Sequence, residues 1–218
     1  MKKQMLLTGA SKGVGKECLK YFEDKYDIVS VARSGNVSER GDLRDKEFVE
    51  FLVYKYNPSI VINCAAVWKE DYYDILETNF ISPAYLTLEF YKKMNRGHII
   101  NICSSSANST GWSGIEYDRI NYNISKSAFK KFSNMLQTSK NNSIKVTTIE
   151  PAQINTDMGE PVVGIDDSEY EIQTKELVPM KPSYIAEVID WVLNQPDPVV
   201  ISSIEIQNFK VIENDSKL

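Results

Sequence analysis

A chain of 218 residues with 42% hydrophobic and 25% charged side chains suits one globular unit with a sizeable core. Its net charge of −5 argues against a nucleic-acid surface as its main business. No apolar run approaches the ~18 residues of a membrane span, and Met5-Leu6-Leu7 is too short a run for a signal peptide.

The elements alternate. Residues 5–8 form an apolar run ending at Gly9, after which Val14, Cys18 and Phe22 recur at helical spacing: strand, glycine turn, helix. Residues 28–32 read as a second strand. Asp45 can cap a helix that turns Phe48, Leu52 and Tyr56 inward, and Pro58 stops it. Residues 59–66 are continuously apolar, as a strand buried on both faces is. A long helix is expected over 71–93, a strand over 98–103, a helix over 122–139 and a strand over 144–150 ending at Pro151. A helix over 184–193 and a strand over 199–206 complete the set. Strands alternating with helices indicate an open, parallel, doubly wound sheet in three α/β/α layers, a Rossmann fold in a single domain spanning 1–218. Two stretches, 104–120 and 155–183, are too long and polar to be plain connections, and the second is expected to act as a substrate loop.

Two residue sets carry chemistry. Thr8-Gly9-Ala10-Ser11-Lys12-Gly13-Val14-Gly15 follows the first strand and opens the first helix. Its glycines permit a tight turn and close backbone approach to a pyrophosphate seated on the helix N-terminus. Tyr122 and Lys126 stand four residues apart, on one face if the segment is helical. A tyrosine normally titrates near ~10, and a fixed cation beside it favours the anion, so such a tyrosine can trade a proton with a substrate oxygen. Cys18, Cys64 and Cys103 lie far apart without metal-ligand spacing and read as free thiols in a reducing compartment, which makes the cytoplasm the expected location. His98 is the only histidine, which gives a histidine triad or a metal site little support.

Together, Thr-Gly-x-x-x-Gly-x-Gly and Tyr122-x-x-x-Lys126 resemble the short-chain dehydrogenase/reductase family, and the resemblance runs through nearly the whole chain. Asn63-Cys64-Ala65-Ala66 is similar to the family's Asn-Asn-Ala-Gly, and Asn79 to its helix asparagine. Asn101-Ile102-Cys103-Ser104 resembles the strand that ends in the catalytic serine. Pro151 to Met158, with Ile154 and Thr156, resembles the Pro-Gly motif and its trailing Thr-x-Met. The resemblance implies that Tyr122 is the acid or base, that Lys126 holds the nicotinamide ribose and lowers the tyrosine pKa, that Ser104 binds the substrate carbonyl, and that Asn79 completes a water-linked relay. Asp42-Leu43 resembles the pair that contacts adenine. It further implies a small-molecule carbonyl or alcohol substrate, and a homodimer or homotetramer paired through the two long helices.

Cofactor choice has a physical reading. An acid at the end of the second strand would bind the ribose 2′-hydroxyl of NAD, but this chain has Ala32-Arg33-Ser34. Arg33 can fork onto a phosphate, Lys12 lies on the same side, and Ser11 and Ser34 can donate hydroxyls, so NADP(H) is expected over NAD(H). Pro83 lacks the N–H that would bond the carbonyl of Asn79, which frees that carbonyl for a relay water. Proline could equally begin a new helix segment there.

The chain also departs from the family. Ala66 and Ala152 replace glycines, and the unit after the second strand is abbreviated. The gap from Ser104 to Tyr122 is long, so Ser105, Ser106 or Ser109 stays open as the partner, with Ser104 first; Trp112 and Tyr117 would line the pocket or pack the loop. A nucleotide-sugar reductase or epimerase and a non-enzymatic NADP(H)-sensing protein are the rival readings.

Overall fold

The computed structural model describes residues 2–68, 70–108, 117–139, 143–156 and 179–208, with the side chains of residues 117–119 excepted. Among the described residues seven parallel strands form one sheet: β1 (Gln4–Thr8), β2 (Asp27–Ala32), β3 (Glu39–Arg40), β4 (Ile60–Asn63), β5 (Gly97–Ile102), β6 (Ile144–Pro151) and β7 (Ser203–Ile206). Their spatial order is β3-β2-β1-β4-β5-β6-β7, so the chain starts in the middle and winds out both ways. In such a sheet the strand order reverses beside β1, where a cleft opens at the carboxyl ends.

Side-chain alternation builds the layers. Met5 and Leu7 of β1 point to one face, with Ile62, Ile100 and Ile149. There they pack on α1 (Gly13–Phe22) and on a helix near the end of the chain, α6 (Pro182–Leu193), through Cys18, Phe22, Ile185 and Ile189. Leu6 points the other way with Val29, Val61 and Ile99, against α2 (Lys46–Lys55) and α4 (Ser82–Lys93). Both faces are dry, which is why the strands read as continuous apolar runs.

Several element ends differ from the sequence reading for local reasons. Asp45 does cap α2, accepting from the backbone N–H groups of Glu47 and Phe48. The inward residues there are Val49 and Leu52, and Phe48 is half-buried. β4 stops at Asn63 because Cys64 and Ala65 turn their N–H groups onto the Thr8 hydroxyl at 3.1 and 3.3 Å instead of onto a strand. β3 is two residues long, and no helix stands between it and β2. The expected helix over 71–93 is three pieces: α3 (Tyr72–Leu76), a π turn (Glu77–Ile81) and α4. The helix α5 (Tyr117–Gln137) starts five residues ahead of Tyr122, so Tyr122 lies in its second turn. The remaining helix and strand ends agree to within a few residues, except that the last strand is confined to Ser203–Ile206.

Candidate active site

At the cofactor end the backbone makes the surface. Gly9 has φ +71° and Gly13 φ +54°, conformations that a side chain would strain. A Cβ on Gly9 would stand 2.7 Å from the Ala65 backbone, and one on Gly15 would stand 2.1 Å from the Gly9 carbonyl oxygen. The loop therefore needs bare glycine at both places. Thr8, fully buried, donates to the Ile62 carbonyl as well and so pins the end of β1 to the end of β4. Lys12 is the extended N-cap of α1 and offers no side-chain cap, and no acid stands in the first turn. The N–H groups around Val14 are thus open to an anion, which the end of a helix favours. Thr156 lies beside Gly13, its methyl 3.5 Å from where a Cβ would be, so the segment after β6 closes over the glycine turn.

Beyond β2, Arg33 reaches Glu70 with its two terminal nitrogens at 3.5 and 3.4 Å. Gly35, φ +94°, leans on Ser11, which brings the Arg33-Ser34 corner against the glycine loop. Asp42 is gripped by Arg44, whose guanidinium holds its carboxyl below the usual range; Leu43 beside it is buried. Arg44 also pairs with Asp74.

At the reacting end side chains make the surface. Lys126 is 2% exposed, and among the described residues its hydrogen bond is to the Ile102 carbonyl at 3.1 Å. An ammonium has three donors, so this buried cation has N–H groups to spare for a ribose hydroxyl. Its nitrogen stands 5.7 Å from the centre of the Tyr122 ring. Trp68 lies edge-on to that ring at 4.6 Å. Ser104 follows β5, and its oxygen accepts from the Ser106 N–H at 3.2 Å and the Ser106 hydroxyl at 2.8 Å. Its own proton is left to point elsewhere. The short 3-10 turn Ser105–Asn108 is tied to α5 by Ser127, which donates to the Ala107 carbonyl at 2.9 Å. Ser109, Trp112 and the Tyr117 side chain lie outside the described residues, as does most of 155–183.

Asn79 is buried in the π turn. Its amide accepts from the Val67 N–H at 2.8 Å, donates to the Val67 carbonyl at 2.9 Å and donates to Ser125 at 3.2 Å. Its side chain thus braces the loop after β4 and the helix beside Lys126. In the turn, the Ser82 N–H bonds the Glu77 carbonyl five residues back, immediately before Pro83. Asn63 lies inside the sheet: its amide donates to Thr87 at 2.7 Å and to Asn101 at 2.8 Å, and Asn101 donates on to Ser133. The Asn63 side chain is committed to that ladder. Pro151 ends β6, and Ile154 bridges to Met180 and packs on the core.

A second cluster escaped the sequence reading. Glu150, fully buried at the end of β6, takes Lys130 at 2.6 Å, Asn108 at 2.9 Å and Thr148 at 3.2 Å, together with Ser203. Burial opposes its charge, but these donors win and hold the carboxyl below its ordinary value. The available signal is a carboxylate near the end of a strand buried along most of its length, with a lysine one turn past Lys126. His98 is a core residue bonded to Thr147 at 2.8 Å, and burial presses its pKa down to about 4. Burial pushes the Cys64 and Cys103 thiols up to about 12. No cluster of metal-binding side chains occurs among the described residues.

The family model of short chain dehydrogenases matches residues 49–164. The chain belongs to the short-chain dehydrogenase family. It is an oxidoreductase that acts between CH–OH and C=O groups of small molecules with a nicotinamide cofactor. Among curated relatives, an NADP-dependent 3-hydroxy acid dehydrogenase of Shigella flexneri is 25% identical over 93% of both chains. Among solved structures, 4-hydroxyisoleucine dehydrogenase complexed with NADH aligns with TM-score 0.75 at 22% identity, covering 94% of this chain and 97% of that one. The closed form of serine dehydrogenase complexed with NADP+ gives 0.76 at 22% identity, covering 93% and 94%. These two share the fold; one holds each cofactor. Among the described residues no helix is long and apolar enough to cross a membrane.

Proposed function

We propose that this protein is an NADP(H)-dependent carbonyl reductase or alcohol dehydrogenase in which Tyr122 is the acid/base residue. The observation that carries the reading is Lys126, a buried ammonium with spare donors, four residues from a tyrosine at the carboxyl edge of the sheet. The nicotinamide, when bound, supplies or accepts the hydride. In reduction, the Tyr122 hydroxyl gives its proton to the carbonyl oxygen as that oxygen gains charge, and in oxidation the tyrosinate takes the proton back. Lys126, with N–H donors to spare, would hold the ribose when the cofactor is bound. Ser104, its oxygen already accepting from Ser106, spends its own proton on the substrate oxygen and fixes its direction. The Asn79 carbonyl, to which Pro83 brings no N–H, accepts the water that links Lys126 to solvent.

The bare glycines 9, 13 and 15, the open N-terminus of α1 and the Arg33 corner fit a dinucleotide with an added phosphate. No acid ends β2 to select NAD, and the NADP-dependent relative supports the same choice. That relative's name makes small hydroxy acids the first substrates to try. Residues 155–183 serve as the substrate loop. Outward apolar side chains on α3, the π turn and α5, namely Tyr73, Ile81, Ile124 and Met135, support pairing of two copies there. Three free thiols support a reducing, cytoplasmic setting.

The test is consumption of NADPH, followed by its absorbance, against a panel of keto acids, other carbonyls and nucleotide sugars. Turnover of a carbonyl that is faster with NADPH than with NADH supports the reading. Binding of the cofactor with no turnover across the panel, or a preference for NADH, would overturn it.

A further inference from the structure

We propose that Glu70 is a specificity-determining residue of the cofactor site, a carboxylate that sits on Arg33 where the 2′-phosphate of NADP(H) would bind and competes with it. The inference rests on the NADP(H) reading above and names the residue that tunes it.

Glu70 reaches Arg33 from a direction the strand pattern does not suggest. It comes from the loop after β4, not from the end of β2 where an acid would meet the adenosine ribose. One oxygen of its carboxylate faces both terminal nitrogens of the guanidinium, at 3.5 and 3.4 Å. That is a long, single-oxygen contact. A phosphate offers the same fork two oxygens at once with more charge, so it displaces the carboxylate, but only after paying for the separation. Asp42 adds a second negative charge in the field of Arg33. The side chains are 48% and 27% exposed, so water weakens the pair without abolishing it.

The loop that presents Glu70 is fixed at both ends. The Asn79 amide clamps Val67 by its N–H and its carbonyl, and Asp71 caps α3 by accepting from Tyr73 and Asp74. Between those anchors Trp68 lies on the Tyr122 ring. One short loop therefore touches the proton-donating tyrosine at one end of the cleft and the phosphate-selecting arginine at the other. For NAD(H) the sign of the Glu70 effect reverses, because a carboxylate can accept from the ribose 2′-hydroxyl that replaces the phosphate.

The experiment is equilibrium binding to the protein without substrate, read by calorimetry, using NADPH, NADH and the fragment 2′,5′-ADP. Glu70→Gln keeps the size of the side chain and removes its charge. The expected result is about three- to five-fold tighter binding of NADPH and 2′,5′-ADP, the scale of an exposed ion pair, with NADH unchanged or weaker. The gain should shrink as salt rises. In an Arg33→Ala background, which itself weakens NADPH, Glu70→Gln should give no gain. Unchanged or weaker NADPH binding in Glu70→Gln, equal tightening of NADH and NADPH, or a gain that survives Arg33→Ala would each overturn the proposal while leaving the cofactor reading intact. Wild-type protein that binds neither dinucleotide would remove the cofactor reading itself, and this inference with it.

Discussion

The two ends of the cleft are made of different materials. The cofactor end is backbone: at Gly9 and Gly15 a single added carbon would stand 2.7 and 2.1 Å from neighbouring main chain. The reacting end is side chain: Lys126, Ser104 and Asn79 are each aimed by hydrogen bonds to carbonyls, hydroxyls or amides that are themselves held. A surface made of backbone tolerates any side chain that points away and no atom that points in. A surface made of side chains tolerates changes of shape nearby but not a change of functional group. The difference predicts how each end fails.

The largest effect belongs to the reacting end. Tyr122→Phe removes one oxygen and should lower turnover by roughly 10²–10⁴-fold, the usual worth of a positioned proton donor. NADPH affinity, measured by titration without substrate, should stay within about two-fold, as expected of a group that acts only on the substrate oxygen. Equal loss of affinity and turnover would show that the ends are not separable.

Next comes the support behind that end. Lys130→Met leaves the fully buried Glu150 without its cation, and because Lys130 retains some solvent the loss of stability should be about 3 kcal/mol, at the low end for a broken buried pair. Chemical denaturation measures it, and the double variant with Glu150→Gln should regain part of the loss. A loss below that of an exposed ion pair would make the cluster a surface feature.

Gly15→Ala tests the backbone end. The new methyl meets the Gly9 carbonyl, so the turn must shift, at about 1–3 kcal/mol. NADPH should bind at least about ten-fold more weakly. Intact binding in Gly15→Ala would break the comparison at its root.

The smallest effect concerns neither end and serves as a control. His98 has a folded pKa of about 4, below the unfolded value near 6.5. The unfolded chain takes up this proton first, so the stability is whole above about pH 6.5 and is lost as pH falls toward 4. Between pH 7.5 and 5 the loss from this group should be about 2 kcal/mol. Melts of His98→Asn at the two pH values should show a correspondingly flatter dependence.

What was legible follows the same division. The glycine turn could be read because three glycines directly after an apolar run make a local pattern, although the atoms that require Gly9 belong to Cys64 and Ala65 in the loop after β4. The alternating sheet could be read because both faces are apolar. β3 could not, since two residues in Ser38-Glu39-Arg40-Gly41 carry no pattern and are held by pairing with Val31 and Ala32 and by distant side chains such as Lys55 on Glu39. Asn63 reads from its neighbours as a cofactor residue, yet its side chain serves Thr87 and Asn101, partners 24 and 38 residues away. Asn79 and Lys126 stood out by resemblance, but that Asn79 grips Val67 depends on the π turn. Glu70 and Trp68 were passed over because a loop's composition does not say which wall it leans on.

That π turn also sets a phase. Glu77–Ile81 spends five-residue hydrogen-bonded loops where an α-helix spends four, so α3 and α4 do not share one helical wheel. Ile75 ahead of the turn and Leu86 behind it are both fully buried, each on its own side of the break. Closing the turn as ordinary α-helix with every residue kept would swing α3 by about 100° against α4, whereas deleting one residue there would let it close with the two helices held in place. The helical wheel for this stretch must therefore be drawn twice, with the break at Asn79.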